Sequence, residues 1–186
     1  RVISMLDHGY EASPICGESR ASLMGVNLSL DEESESPDVL AWRTFSLGPK
    51  PGFRAPNGYS HPGEQQGVEL FKVFHGTHHT LLLFDGAAAT GEGYVELAAI
   101  CARVRSRFGE RVRSYVIVPS DQRPKALPQS VDVLLDPDSL LHEAYGATTE
   151  CLYLVRPDEH IGFRSQPADA AGLMRHLDGV LASAKS

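Results

Sequence analysis

Cysteine is scarce in this chain. Cys16, Cys101 and Cys151 are the only three among 186 residues, and no two of them form a C-x-x-C pair. An odd count without a secretory leader favours reduced thiols, although pairing of two of them stays open. Long apolar runs are missing as well. The longest, Thr80 to Phe84, has the length of a strand, far short of the ~20 residues that a membrane helix needs. Basic charge is in deficit: 17 Lys and Arg against 24 Asp and Glu give a net charge of −7, which argues against a nucleic-acid backbone as partner. No initiating Met is present either. The chain opens Arg1-Val2-Ile3, as a fragment or a trimmed product would. With neither leader nor span, the expected location is cytoplasmic.

What is present is the alternation of a mixed α/β domain. Residues 1–30 carry no long periodicity, and Asp31-Glu32-Glu33-Ser34-Glu35-Ser36-Pro37-Asp38 has the composition of an exposed acidic linker. Gly48 to Tyr59 crowds glycine and proline into a shaped loop around Arg54. Gly67 to His75 suits a strand or a short helix. Thr80 to Phe84 suits a strand covered on both faces. Leu97, Cys101, Val104 and Phe108 then recur at helical spacing, with acids near the start, arginines near the end and Gly109 as the stop. Tyr115 to Pro119 and Val131 to Leu135 are further strands. Asp136-Pro137-Asp138 offers a carboxylate cap to a two-turn helix that ends at Gly146. Leu152 to Arg164 reads as strand, turn at Pro157, strand. Leu173, Leu177, Val180 and Leu181 line a last helix.

Strands alternating with helices, closed by a hairpin, predict a three-layer sandwich: a mixed central sheet with helices on both faces, compatible with a thioredoxin-like fold over residues 66–184. In that fold the reactive cysteines follow the first buried strand, at the N-terminus of the next helix, where the helix end activates a thiol. Here that place reads Ala87-Ala88-Ala89-Thr90-Gly91-Glu92. The facing cis-proline, expected near Thr149 or Glu150, is missing too. Cys101 and Cys151 fall where core residues are expected. Gly91-Glu92-Gly93-Tyr94-Val95-Glu96 lacks the third glycine of a dinucleotide loop, and no P-loop or G-x-S-x-G stands elsewhere. His75, His78 and His79 cluster before a strand and read as exposed turn histidines rather than metal ligands. His8, His61, His142, His160 and His176 are scattered.

Four stretches taken together resemble the C-terminal region of the FAD-dependent aromatic-ring hydroxylases, the group of the phenol, 3-hydroxybenzoate and hydroxyphenylpropionate hydroxylases and polyketide oxygenases. They are Tyr10 to Ile15, Pro51 to Pro56, Thr80 to Phe84, and Ala144-Tyr145-Gly146 leading into Leu154 to Arg164. The last is similar to L-V-R-P-D-G-x-[IV]-A-x-R, with Glu159 in place of the glycine and Gly162 in place of the alanine. The resemblance implies a thioredoxin-like domain without redox cysteines. Its role would be structural or oligomerising, packed against upstream FAD-binding and substrate domains and, in some members, forming a homodimer. The parent enzyme would bind FAD, draw hydride from NAD(P)H and hydroxylate a phenolic ring. This chain itself would hold no cofactor.

On this reading residues 1–47 are an arm and acidic linker left from an upstream domain, and residues 48–186 are the thioredoxin-like domain. Arg54, Arg156 and Asp158 are the candidate interdomain or dimer contacts. No catalytic, cofactor or metal residue is assigned. Two rival readings stand beside it. One is a free-standing thiol oxidoreductase or peroxidase, for which Cys16 is the only cysteine outside the predicted core. The other is a binding module whose partner docks on the loop around Arg54.

Overall fold

The computed structural model describes residues 15–20, 37–57, 70–86 and 93–182. Tyr10 to Pro14, the acidic stretch through Ser36, the loop from Ala87 to Glu92, and His8 and His61 lie outside the described residues.

Six strands form one mixed sheet. They are β1 (Gly17–Arg20), β2 (His79–Gly86), β3 (Val112–Val118), β4 (Asp132–Leu135), β5 (Thr149–Val155) and β6 (Ile161–Gln166), in the order β1-β6-β5-β2-β3-β4. β2, β3 and β4 run parallel, β5 is antiparallel to both β2 and β6, and β1 adds to β6 in parallel. The continuous apolar run of β2 has its reason here: β2 is central and both of its faces are covered. Leu81 and Leu83 point to one core, Leu82 and Phe84 to the other.

The first core lies under α3 (Gly93–Phe108) and α5 (Ala170–Ala182), through Leu97, Cys101, Val104, Leu173 and Leu177. The second lies under α1 (Pro37–Leu47), α2 (Leu70–Phe74) and α4 (Leu140–Tyr145). It is aromatic: Phe84, Tyr145 and Tyr153 meet with centroids 5.0–6.2 Å apart. Their hydroxyls are not stranded. Tyr153 donates to the Tyr145 carbonyl at 2.6 Å, and Tyr145 to the Pro56 carbonyl at 2.9 Å. Gly67 to His75 resolves as the short helix α2 where it is described.

The helix signals act where the sequence places them. Asp136 accepts the backbone N–H groups of Leu141 (3.1 Å) and His142 (3.0 Å), which are otherwise unpaired at the start of α4. Gly146, at φ 63°, ends that helix in the left-handed region. Asp169 caps α5 through the Gly172 N–H and holds the edge strand as well, because Ser19 donates to its other oxygen at 2.9 Å.

The β5–β6 hairpin turns over three residues, Pro157, Asp158 and Glu159. The Glu159 N–H donates to the Arg156 carbonyl, and Glu159 takes φ 65°. A type I turn followed by a left-handed residue closes such hairpins, and glycine is the usual occupant of the left-handed place. Here a glutamate stands there, and its carboxylate is held by Arg54 at 2.5 Å. The Gly/Pro loop is thereby sewn to the turn. Gly52 N–H donates to the Ile161 carbonyl, Ile161 N–H to that of Phe53, and Ala55 N–H to that of Glu159.

Arg164 follows the alternation to the face opposite Phe163, and that face is closed. It is fully buried under the end of α1. Its Nη1 donates to the carbonyls of Phe45 (3.0 Å), Gly48 (3.1 Å) and Pro49 (3.1 Å). Nε lies 3.1 Å and Nη2 3.0 Å from Glu18 Oε1 on β1, and the guanidinium stacks on the Phe45 ring at 4.7 Å. One buried cation thus joins β6, the edge strand and the carbonyl end of α1, where the helix dipole favours positive charge.

Candidate thiol site

The place where this fold usually carries its nucleophile is filled differently. A side-chain carbon built on Gly93, the first residue of α3, would fall 1.7 Å from Asp85 Oδ1. The Asp85 carboxylate therefore sits on the helix N-terminus that would otherwise favour a thiolate. Around it the charge is acidic. Burial, followed by repulsion from Glu96 and Asp85, raises the pKa of Glu150. The cis peptide of the described chain is Gln166–Pro167, at the end of β6 rather than before β5.

Two of the three thiols are shut away. Cys101 faces the α3 core, and burial pushes its pKa up to about 12. Cys151 is fully buried on β5, where burial raises its pKa well above the ordinary thiol value. Neither supplies a thiolate near neutral pH.

Cys16 differs. It is half-buried and directly precedes β1. Its Sγ lies 3.9 Å from the Ile161 carbonyl and 3.8 Å from Arg156 Nη1. The other end of that guanidinium, Nη2, is paired with Asp158, and Asp158 in turn lies 3.6 Å from His160 Nδ1. A thiol, a guanidinium, a carboxylate and an imidazole thus line the turn end of the hairpin. Arg156 and Asp158 come together here. Arg54 stands beside them on the neighbouring loop, paired with Glu159 and over the Phe71 ring at 4.7 Å. Sequence reading named Cys16 and Arg156 separately and missed their contact. The two are 140 residues apart, and no local pattern joins them.

The histidines correct the reading as exposed turn residues. His75 is exposed, but His78 and His79 are buried. They sit where β2 enters the sheet, covered rather than solvated. Burial, aided by the positive charge of Arg156 and by His176, lowers the His79 pKa to about 4. Among the described residues no group of three or more His, Cys, Asp or Glu side chains could hold a metal ion.

A second polar pair lies in the aromatic core. His142 Nδ1 is 2.7 Å from Asp136 Oδ2, with both side chains almost fully buried, and the imidazole meets Phe84 edge-on at 5.2 Å. Burial works to raise the Asp136 pKa, but the His142 hydrogen bond and the two backbone N–H groups outweigh it and hold it below the usual value. Replacing Asp136 by alanine removes a helix cap and an imidazole partner together. Urea denaturation is expected to show a loss of about 2 kcal/mol, and Asp136→Asn, which keeps an acceptor oxygen, about half of that.

No family model matches the chain, and no curated protein does. Solved structures do. The mitochondrial 2-Cys peroxiredoxin of Plasmodium falciparum is similar over 72% of this chain and 95% of its own, at 16% identity and a TM-score of 0.53. A protein assigned as the thiol:disulfide interchange protein DsbE of Chlorobium tepidum is similar over 70% of this chain and 94% of its own, at 16% identity and a TM-score of 0.51. The fold is therefore thioredoxin-like, as the strand order had implied. Aklavinone-11 hydroxylase, solved with FAD and aklavinone, is similar over 71% of this chain but only 20% of its own, at 27% identity. Its TM-score of 0.42 is too low to carry an argument. The expectation of a structural C-terminal domain of a flavin hydroxylase is accordingly corrected. The peroxiredoxin and the interchange protein are each matched over nearly their whole length, where a C-terminal domain would match only part of a longer enzyme.

Proposed function

We propose that the chain acts as a thioredoxin-fold thiol protein that forms and releases mixed disulfides through Cys16, with Arg156 as the charge partner of the sulfur. One observation carries this reading: the accessible thiol lies against a guanidinium, while the other two lie in the cores. The names of the fold's neighbours, a peroxiredoxin and a thiol:disulfide interchange protein, support it.

The step balances without a cofactor. The Cys16 thiolate attacks one sulfur of a disulfide R–S–S–R. The Cys16–S–S–R bond forms, the R–S–S–R bond breaks, and R–S⁻ leaves and takes a proton from water. A second thiolate then attacks the R sulfur, restores the Cys16 thiolate and departs as a disulfide. Arg156 faces the sulfur that bears negative charge before the first attack and after the second. Among the described residues no helix is long and apolar enough to cross a membrane.

Incubation with oxidised glutathione followed by mass analysis tests the reading. One glutathione adduct on Cys16, absent from Cys16→Ser, is the expected result. Adducts confined to Cys101 or Cys151, or none at all, would overturn it.

A further inference from the structure

Arg156 reaches Cys16 across the backbone of Gly162. Cys16 precedes Gly17, Gly17 pairs with Phe163, and Gly162 precedes Phe163, so Cys16 and Gly162 lie side by side where β1 and β6 begin. A side-chain carbon built on Gly162 would stand 2.9 Å from Arg156 Cγ and 3.2 Å from its Cδ. The aliphatic stem of the arginine therefore lies flat on the bare backbone of Gly162. Beyond it the guanidinium is anchored twice, by Asp158 at Nη2 and by the sulfur at Nη1. Asp158 fixes the head, but it cannot make room for the stem.

We infer that Gly162 is a positioning residue for the Cys16 site: its missing side chain is the channel through which Arg156 crosses β6 to face the sulfur. The inference rests on the proposed thiol function and assigns it a residue with no chemistry of its own. A methyl group at 162 alters no charge, yet it must push the stem, and with it the guanidinium, away from Cys16.

The test compares rates of mixed-disulfide formation with oxidised glutathione in Gly162→Ala, Arg156→Ala, Arg156→Lys and the Gly162→Ala/Arg156→Ala double variant. Loss of a charge partner this close to a thiolate is expected to slow the reaction about fivefold. Gly162→Ala should match Arg156→Ala. Arg156→Lys, which keeps a positive charge, should fall between wild type and Arg156→Ala. The double variant should be no slower than Arg156→Ala, because truncation at Cβ removes the atoms that an alanine at 162 would strike. If Gly162→Ala fails to fold, the double variant folding like Arg156→Ala still establishes the collision. Wild-type rates in Gly162→Ala would overturn the inference while an Arg156→Ala effect leaves the thiol function standing. So would a double variant that fails to fold, or that is slower than Arg156→Ala. A wild-type rate in Arg156→Ala would remove the charge partner itself, and the inference with it.

Discussion

Arg164→Met is expected to destabilise the fold by about 3–5 kcal/mol. The magnitude follows from what the change strands. Three backbone carbonyls, those of Phe45, Gly48 and Pro49, lose their donor inside the protein. Each unsatisfied buried acceptor costs about 1–3 kcal/mol, reduced wherever water can enter. Glu18 loses its cation, and β1 loses one of its ties to the sheet. The Met side chain returns some apolar contact with the Phe45 ring but no hydrogen bond. Glu18→Gln is milder, about 1–2 kcal/mol, because the carbonyls keep the guanidinium and the Glu18 side chain is partly exposed. Equilibrium urea unfolding measures both. A loss below about 1 kcal/mol for Arg164→Met would mean that the cation's desolvation cancels its bonds, as happens for some buried ion pairs.

Acid is expected to weaken the protein through His79. Its pKa stands near 6.5 when unfolded and about 4 when folded, because burial excludes the charged imidazole. The sign follows. Below pH 6.5 the unfolded chain takes up a proton that the folded chain refuses, so stability falls as pH falls. The loss grows from about pH 6.5 to about pH 4 and then levels off, since below that both states are protonated. At roughly 1.4 kcal/mol per pKa unit the full loss is about 3 kcal/mol. His176, also lowered by burial, adds in the same direction. Asp136 and Asp169, whose pKa values are held down, lose stability at still lower pH. The measurement is urea unfolding from pH 7 to pH 4 in wild type and His79→Gln. The variant should show a shallower decline over that interval. Parallel curves would show that His79 is not the group that titrates.

Much of this fold was legible because its signals are local. Leu97, Cys101, Val104 and Phe108 repeat on one face of a single helix, and each of them is buried. Asp136 and Gly146 bracket α4 as cap and stop, and Pro157 opens the hairpin turn. These are properties of a few consecutive residues, and neighbours in sequence enforce them. The rest depends on contacts that no periodicity records. Arg164 alternates with Phe163 like any strand residue. That its face is closed follows from Phe45, 119 residues upstream, and from Glu18, 146 residues upstream. His78 and His79 have a turn's composition around them, but the sheet draws them inward. The thiol site was half legible. The missing cysteine after β2 and the core positions of Cys101 and Cys151 can be read from spacing. The meeting of Cys16 with Arg156 arises only because β1 pairs with β6. The hydroxylase-like motifs are bound up with the same geometry. Pro51 to Pro56 and the turn at Arg156 to His160 are one hydrogen-bonded unit, in which Arg54 holds Glu159.

Arg156, 3.8 Å from the Cys16 sulfur, is proposed to speed its exchange. The most direct test is the rate of its thiol-disulfide exchange at pH 7, resolved by cysteine, in the native protein and in the same protein unfolded in urea. Native Cys16 is expected to react faster than unfolded Cys16, and native Cys101 and Cys151 far more slowly than when unfolded. Native Cys16 reacting no faster than it does in the unfolded chain would contradict it.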